Sequence, residues 1–296
     1  MKLPLKKFIY GLVATAIFGL AVYGFFIEPN SLVVNRRELH IKNWSPQLNG
    51  FKIVAISDLH AGSNFITAEK LREIVARVNA EEADLVVLLG DYVSRRYFAR
   101  KELKMPLNVM SDNLRGLKAK YGVYGVLGNH DNEYDDQSVR AEMEKTGLKI
   151  LENEVISLEL NGEKLRILGV RDILKLGSNW AQVSDDLKKY LETASADDGK
   201  LIVLTHNPDT IVYLTEGLSI SDKLALILAG HTHGGQVRLP LVGSPVVPSE
   251  FGQKYAAGHI RDRGVDMFVT TGIGTSILPV RFGVPPEIAV LEIYAE

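Results

Sequence analysis

Residues 51–60 read FKIVAISDLH, an apolar strand that runs straight into an aspartate and a histidine two positions apart. Short apolar runs without polar alternation mark strands covered on both faces. The same device recurs along the chain. ADLVVLLG (83–90) leads to Asp91, YGVYGVLG (121–128) to Asn129, His130 and Asp131, KLIVLT (200–205) to His206, and LALILAG (224–230) to His231 and His233. KLRILGV (164–170) reads as a further strand. Between these runs, Thr67 to Asn79 spaces Leu71, Ile74, Val75 and Val78 at helical intervals behind an N-capping threonine. Asp135 to Thr146 and Trp180 to Thr193 are further helix candidates. Strands alternating with helices predict a layered α/β domain over residues 51–296.

The polar residues sit where such a sheet binds ligands, at the carboxyl ends of its strands. In Asp58-Leu59-His60 the polar side chains are i and i+2, so at a strand end both face one side while Leu59 turns to the core. His231-Thr232-His233 repeats the spacing, and Gly90 and Gly128 allow close backbone approach before Asp91 and Asn129. The chain has no cysteine, which excludes disulfides, thiolate ligands and a cysteine nucleophile. Imidazole, carboxylate and amide oxygen suit manganese, zinc or iron, and these donors outnumber the needs of one tetrahedral ion. Two divalent ions about 3.5–4 Å apart are a device of phosphoryl chemistry.

Taken in order, D-x-H, G-D, G-N-H-D, a lone histidine and G-H-T-H resemble the calcineurin-like metallophosphoesterase family over residues 52–236. The resemblance implies a four-layer αββα sandwich. It implies that Asp58, His60, Asp91 and His233 hold one metal ion, and that Asp91, Asn129, His206 and His231 hold a second. His130 would be the catalytic histidine. No ligand of the pattern is missing, which argues against a metal-free scaffold. GHTHGGQ (230–236) and TTGIGTSILPVRFGVPPEIAVLEI (270–293) are similar to the membrane-associated bacterial YaeI/YkuE-type subgroup, which includes UDP-2,3-diacylglucosamine pyrophosphatases. The implied activity is hydrolysis of a phosphodiester or pyrophosphate, on a lipid-linked or envelope substrate such as UDP-2,3-diacylglucosamine. The alternatives are a broad-specificity phosphomonoesterase or phosphoprotein phosphatase, and a non-catalytic membrane-attached binding module.

FIYGLVATAIFGLAVYGFFI (8–27) carries no charge and matches the ~20 apolar residues of one bilayer crossing. This gives a membrane anchor over 1–28 and a juxtamembrane lead-in over 29–50, whose LVVNRRELHI (32–41) is expected to add an edge strand. Lys2, Lys6 and Lys7 balance Arg36, Arg37 and Lys42 across the span, and the amino terminus tips the expectation toward an extracytoplasmic domain. The reading is a single-pass protein of the bacterial inner membrane. A net charge of -2 predicts no nucleic-acid partner. Arg95 and Arg96, in the basic stretch Tyr92 to Met110, and Arg281 are candidate phosphate contacts, weighed against a solvated charge run and a surface pair with Glu287. Leu239 to Asp262 reads as a long loop, and its LPLVGSPVVP (239–248) is expected to pack in the ordinary way rather than form a lipid-facing lip.

Overall fold

Alternation along the strands decides which way each apolar side chain points. The computed structural model describes residues 5–96, 99–160, 162–176, 199–217 and 224–296. In the first half of the chain these form β1 (Val33–Ile41), β2 (Phe51–Ile56), β3 (Leu85–Leu88), β4 (Arg95–Arg96), β5 (Ala99–Leu103), β6 (Val123–Gly125) and β7 (Lys149–Ile150). The second half adds β8 (Glu154–Leu160), β9 (Glu163–Gly169), β10 (Lys200–Leu204), β11 (Leu224–Ala229), β12 (Gly258–Asp262), β13 (Val265–Val269) and β14 (Glu287–Ala295). One sheet has the order β1-β14-β2-β3-β6-β7, the other β12-β13-β11-β10-β9-β8, and β4 and β5 make a separate ribbon.

In β2, Phe51, Ile53 and Ala55 face one core while Val54 and Ile56 face another; in β10, Ile202 and Leu204 oppose Leu201 and Val203. The inner faces of the two sheets share a single core that joins Ile53, Leu85 and Leu291 to Ile167, Ile202 and Leu226. The outer face of the first sheet is covered by α2 (Ala68–Ala80), α3 (Leu107–Leu114) and α4 (Asp136–Glu144), through Leu71, Ile74, Met110 and Val139. The outer face of the second is covered through Ile211, Leu214 and Tyr255. The result is the αββα order of layers. Thr67 caps α2 as its sequence implies, its hydroxyl accepting from the Lys70 amide at 3.3 Å.

The helix candidate Trp180 to Thr193 lies outside the described residues. The stretch 32–41 is an edge strand, β1, parallel to β14. The loop reading of Leu239 to Asp262 needs correction at its end: Gly258–Asp262 is strand β12, antiparallel to β13. Being an edge strand, it carries His259 and Arg261, which converge on Asp266 at 2.8 and 3.0 Å, so its sequence lacks the apolar run of a central strand.

The apolar N-terminal helix α1 (Leu5–Val22) opens a stretch, Lys6–Asn30, long and apolar enough to cross a membrane, and the side chains of Lys6–Ala21 are exposed. Its continuation is tied down. The Arg281 amide donates to the Gly24 carbonyl at 3.0 Å, the Gly283 amide donates to the Glu28 carboxylate at 2.8 Å, and Tyr23 meets Phe282 edge-on at 6.0 Å.

Leu291 is fully buried between the sheets. Leu291→Ala is expected to lower the unfolding free energy by about 2–5 kcal/mol, through lost transfer energy and the cavity left behind, as read from denaturant unfolding in detergent.

Candidate metal centre

The carboxyl ends of β2, β3 and β6 in one sheet, and of β10 and β11 in the other, open on the same rim. The loops that leave them are stitched together. The Asp58 amide donates to the Gly90 carbonyl at 2.9 Å, the His60 amide to the Asp91 carbonyl at 3.0 Å, and the Gly230 amide to the His206 carbonyl at 2.9 Å. Asp58 and His60 are not on a continuing pleat, because β2 ends at Ile56. Both have left-handed backbone, with φ of 55° and 46°, and so do Asp91 at 55°, His231 at 71° and His233 at 51°. For residues other than glycine this conformation costs roughly 1–2 kcal/mol each, and strain of this kind collects at functional sites. The close approach expected of the glycines is present: a β-carbon on Gly128 would lie 2.3 Å from the Asp91 Oδ1 atom.

Two nests of donor atoms share one carboxylate. In the first, His233 Nε2 lies 3.1 Å from His60 Nε2 and 3.3 Å from Asp58 Oδ1, and His60 Nε2 lies 3.6 Å from Asp91 Oδ2. In the second, His206 Nε2 lies 3.4 Å from Asp91 Oδ2, 3.2 Å from Asn129 Oδ1 and 3.2 Å from His231 Nδ1. His206 Nδ1 faces the Leu89 carbonyl at 2.7 Å and His60 Nδ1 faces the Val93 carbonyl at 3.3 Å. A carbonyl only accepts, so each ring keeps a proton on Nδ1 and aims Nε2 inward. Asp58 Oδ1 is buried with no hydrogen-bond partner among the described residues. Ring nitrogens and carboxylate oxygens gathered this closely, one of the oxygens orphaned, are the arrangement a cation resolves. The residues therefore fit a divalent metal centre, with Asp58, His60 and His233 forming one cluster and Asp58, Asp91 and His206 another.

Burial pushes the Asp58 carboxyl up to about 6, against the pull of His206 and with the push of Asp91. Burial likewise takes His60 and His231 down to about 3, so both imidazoles are neutral at physiological pH, as a ligand must be. His206 goes the other way: burial opposes its charge, but the Asp91 carboxylate, seconded by Asp58 and Asp172, holds it protonated.

His130 sits at the edge of these nests, clustered with His60 and Asp91. Its amide donates to Asp91 Oδ1 at 2.8 Å, while its half-buried ring turns into a cavity of about 460 Å³, with Nε2 at 4.0 Å from Asp91 Oδ2 and 3.4 Å from the Ser276 hydroxyl. The arginines are placed differently from the expectation. Arg95 pairs with Glu133, Arg96 faces Glu102 at 3.7 Å, and neither lines that cavity. Arg281 is neither at the cavity surface nor paired with Glu287. It is fully buried, and its guanidinium donates to the carbonyls of Thr271, Gly272, Gly274 and Val284 at 2.6 to 3.1 Å. Glu287 instead accepts from the Thr270 hydroxyl and the Thr271 amide, both at 2.8 Å. A glycine- and proline-rich tail reads as surface, yet here it folds beneath the site, with the Gly274 amide donating to the Asp58 carbonyl at 2.6 Å.

Two features escaped the sequence reading. Asp131, wholly buried, accepts from the amides of Tyr92, Val93 and Gly128 at 2.9, 3.1 and 2.9 Å and so locks the Asp91 loop to the Asn129 loop. Its place as fourth member of G-N-H-D was the available signal. The apolar residues 239–248 do not pack in the ordinary way: Leu241, Val242 and Val246 are exposed, and Pro245, Val246 and Pro248 line the cavity with Ile277, Leu278 and Val280.

This set of ligand loops on a two-sheet sandwich defines a metal-dependent phosphoesterase. The family model for calcineurin-like phosphoesterases matches residues 51–235, and the chain belongs to that family. It is 29% identical over 300 residues to the metallophosphoesterase YkuE of Bacillus subtilis, covering 98% of this chain and 97% of that one. To the phosphodiesterase YaeI of Escherichia coli it is 27% identical over 278 residues, covering 92% of each. A transmembrane protein with a metallophosphoesterase domain from Danio rerio is 27% identical over 288 residues, 96% of this chain and 62% of that protein.

Since His206 is protonated without metal and must shed its proton to ligate, acid competes with metal. Metal loading at neutral pH is expected to release protons, and apparent affinity is expected to fall as pH is lowered, as followed by chelator competition and by calorimetry in buffers of different ionisation enthalpy. Asp91→Asn, which weakens the carboxylate shared by both nests, is expected to reduce bound metal per chain by elemental analysis.

Proposed function

We propose that this metallophosphoesterase hydrolyses a phosphodiester or pyrophosphate bond in a lipid-linked or envelope substrate, of which UDP-2,3-diacylglucosamine is an example. In this reading it is a single-pass protein of the bacterial inner membrane, with its catalytic domain on the extracytoplasmic side. The observation that carries the substrate class is the cavity itself. Asp91, Asn129, His130 and His231 line it, and so do Pro245, Val246, Pro248, Ile277, Leu278 and Val280. A phosphoryl group and an apolar chain thus find their surfaces side by side.

Asp58, His60, Asp91 and His233 would hold one divalent ion, and Asp91, Asn129, His206 and His231 the other, with Asp91 common to both. When bound, such an ion pair supplies Lewis acidity, bringing the pKa of an attacking water toward about 7 and neutralising charge on the phosphoryl oxygens. The chain's own residues do the rest. Asp91 orients His130 by accepting its amide hydrogen at 2.8 Å. His130 Nε2 then faces the cavity, where it donates to a phosphoryl oxygen and passes its proton to the leaving oxygen. The Ser276 hydroxyl at 3.4 Å steadies that ring. Asn129 keeps its amide oxygen toward His206 at 3.2 Å, so adjacent residues divide the work of ligand and proton donor.

With manganese or zinc loaded, the full chain in detergent is expected to hydrolyse bis-p-nitrophenyl phosphate faster than p-nitrophenyl phosphate, and to turn over UDP-2,3-diacylglucosamine. His130→Ala is expected to lower kcat by about 10²–10⁴-fold while retaining metal. Dominant monoester turnover would move the assignment to a phosphomonoesterase. A C-terminal fusion reporter active only in the cytoplasm would reverse the orientation.

A further inference from the structure

The rim of the cavity is apolar where a water-facing loop would be polar. Relative exposure is 108% for Leu241, 94% for Ile277, 74% for Val246 and 61% for Val242. Two of these sit at strained tips, Leu241 with φ of 66° and Ile277 with φ of 61°. Glycine, asparagine or aspartate is the ordinary occupant of such a position, and a β-branched residue there is an outlier. Within this chain the exposed side chains gain nothing from being apolar.

The same rim is fastened to the end of the membrane-crossing window. Gln236, at the start of the segment that leads to Leu241, holds the base of the Ile277 tip, donating from Nε2 to the Ser276 carbonyl at 3.0 Å and accepting from the Ser276 amide at 2.7 Å. The Arg238 amide donates to the Phe282 carbonyl at 2.7 Å, and residues 281–283 hold Gly24 and Glu28 by the bonds already described. At about 1.5 Å per residue, a helix reaching from Leu5 to Val22 rises nearly the ~30 Å of a hydrocarbon core. Tyr23, Phe25 and Phe26, all exposed, then fall at the far boundary, where aromatic residues anchor membrane proteins. The rim is bonded to that level of the chain.

We infer that the tips around Leu241–Val242 and Ile277–Leu278 dock into the lipid bilayer beside α1, so that the phosphoesterase cavity opens at the membrane surface. The occupant of this apolar face is lipid, because the rim is continuous with the exposed face of the helix end. The inference rests on the reading that α1 crosses a membrane, and it goes further: a tether alone would leave the cavity free to face water in any direction.

The absence of native cysteines makes the test direct. Single variants Leu241→Cys and Ile277→Cys, with Ser157→Cys on exposed β8 as control, are labelled with nitrobenzoxadiazole in the full chain and reconstituted into phosphatidylethanolamine/phosphatidylglycerol vesicles. Blue-shifted emission at 241 and 277, quenched by nitroxide-bearing lipid while the probe at 157 is not, is the expected result. In parallel, Leu241→Asp/Val242→Asp is expected to slow hydrolysis of a long-chain alkyl p-nitrophenyl phosphate embedded in the vesicles and to leave soluble bis-p-nitrophenyl phosphate turnover unchanged. Aspartate tolerates the left-handed conformation at 241, so the fold should survive. If the chain floats with vesicles and cleaves the soluble diester, but the probes at 241 and 277 behave like the one at 157, the docking is overturned and the phosphoesterase stands. If the chain does not float with vesicles, the membrane reading and the docking fall together.

Discussion

A buried, shared carboxylate is the constraint around which this protein is arranged. Asp91 is 2% exposed, gives one oxygen to the His130 amide and turns the other toward His60 and His206 at 3.6 and 3.4 Å. An ionised carboxylate removed from water is penalised by several kcal/mol unless charge or hydrogen bonds compensate it. Here compensation comes from imidazoles on both sheets. The strained backbone of Asp58, His60, His231 and His233, the bare Cα of Gly128 and the three amides gathered by Asp131 all follow from bringing donors that close to one oxygen pair.

That arrangement needs two sheets held rigidly. One sheet supplies Asp58, His60, Asp91 and Asn129, the other His206, His231 and His233, and the core between them sets the distance across the site. Close-packed interiors do not slide by fractions of an ångström without losing contacts, so the shared core gives the ligands their precision. Strand β14, paired with both β1 and β2, ties the far end of the chain into the same sheet. The segment just before it, 271–284, bonds to the Asp58 carbonyl through the Gly274 amide and is held together by the buried guanidinium of Arg281. Burial lowers the pKa of that group to about 10, against the pull of the Asp58, Glu287 and Glu28 carboxylates, and it stays charged at physiological pH.

The site and the N-terminal helix are therefore joined through one segment. The residues around Arg281 receive the helix end through Gly24 and Glu28 on one side and support the loop beneath the metal ligands on the other. Polar side chains and the exposed apolar residues Val246, Ile277 and Leu278 line a single cavity, a contrast that ordinary packing would have hidden.

Much of this was legible in the sequence, for a physical reason. Metal chemistry needs particular side chains, and covered strands need unbroken apolar runs, so Asp58, His60, Asp91, Asn129, His206, His231 and His233 announce themselves at strand ends. Thr67 capped its helix as read, because a cap is a local bond. What depended on distant chain could not be read locally. Arg281 and β12 look like surface in sequence because their partners, the carbonyls of 271–284 and Asp266, meet them only in three dimensions. Likewise, LPLVGSPVVP has the composition of core, and only the tertiary structure shows that Leu241 and Val242 are exposed among the described residues. The sequence by itself determined which atoms can bind metal and that a helix can cross a membrane; tertiary packing decided that the two lie side by side, since hydrogen bonds between residues 24–28 and 281–283 are not written in either segment alone.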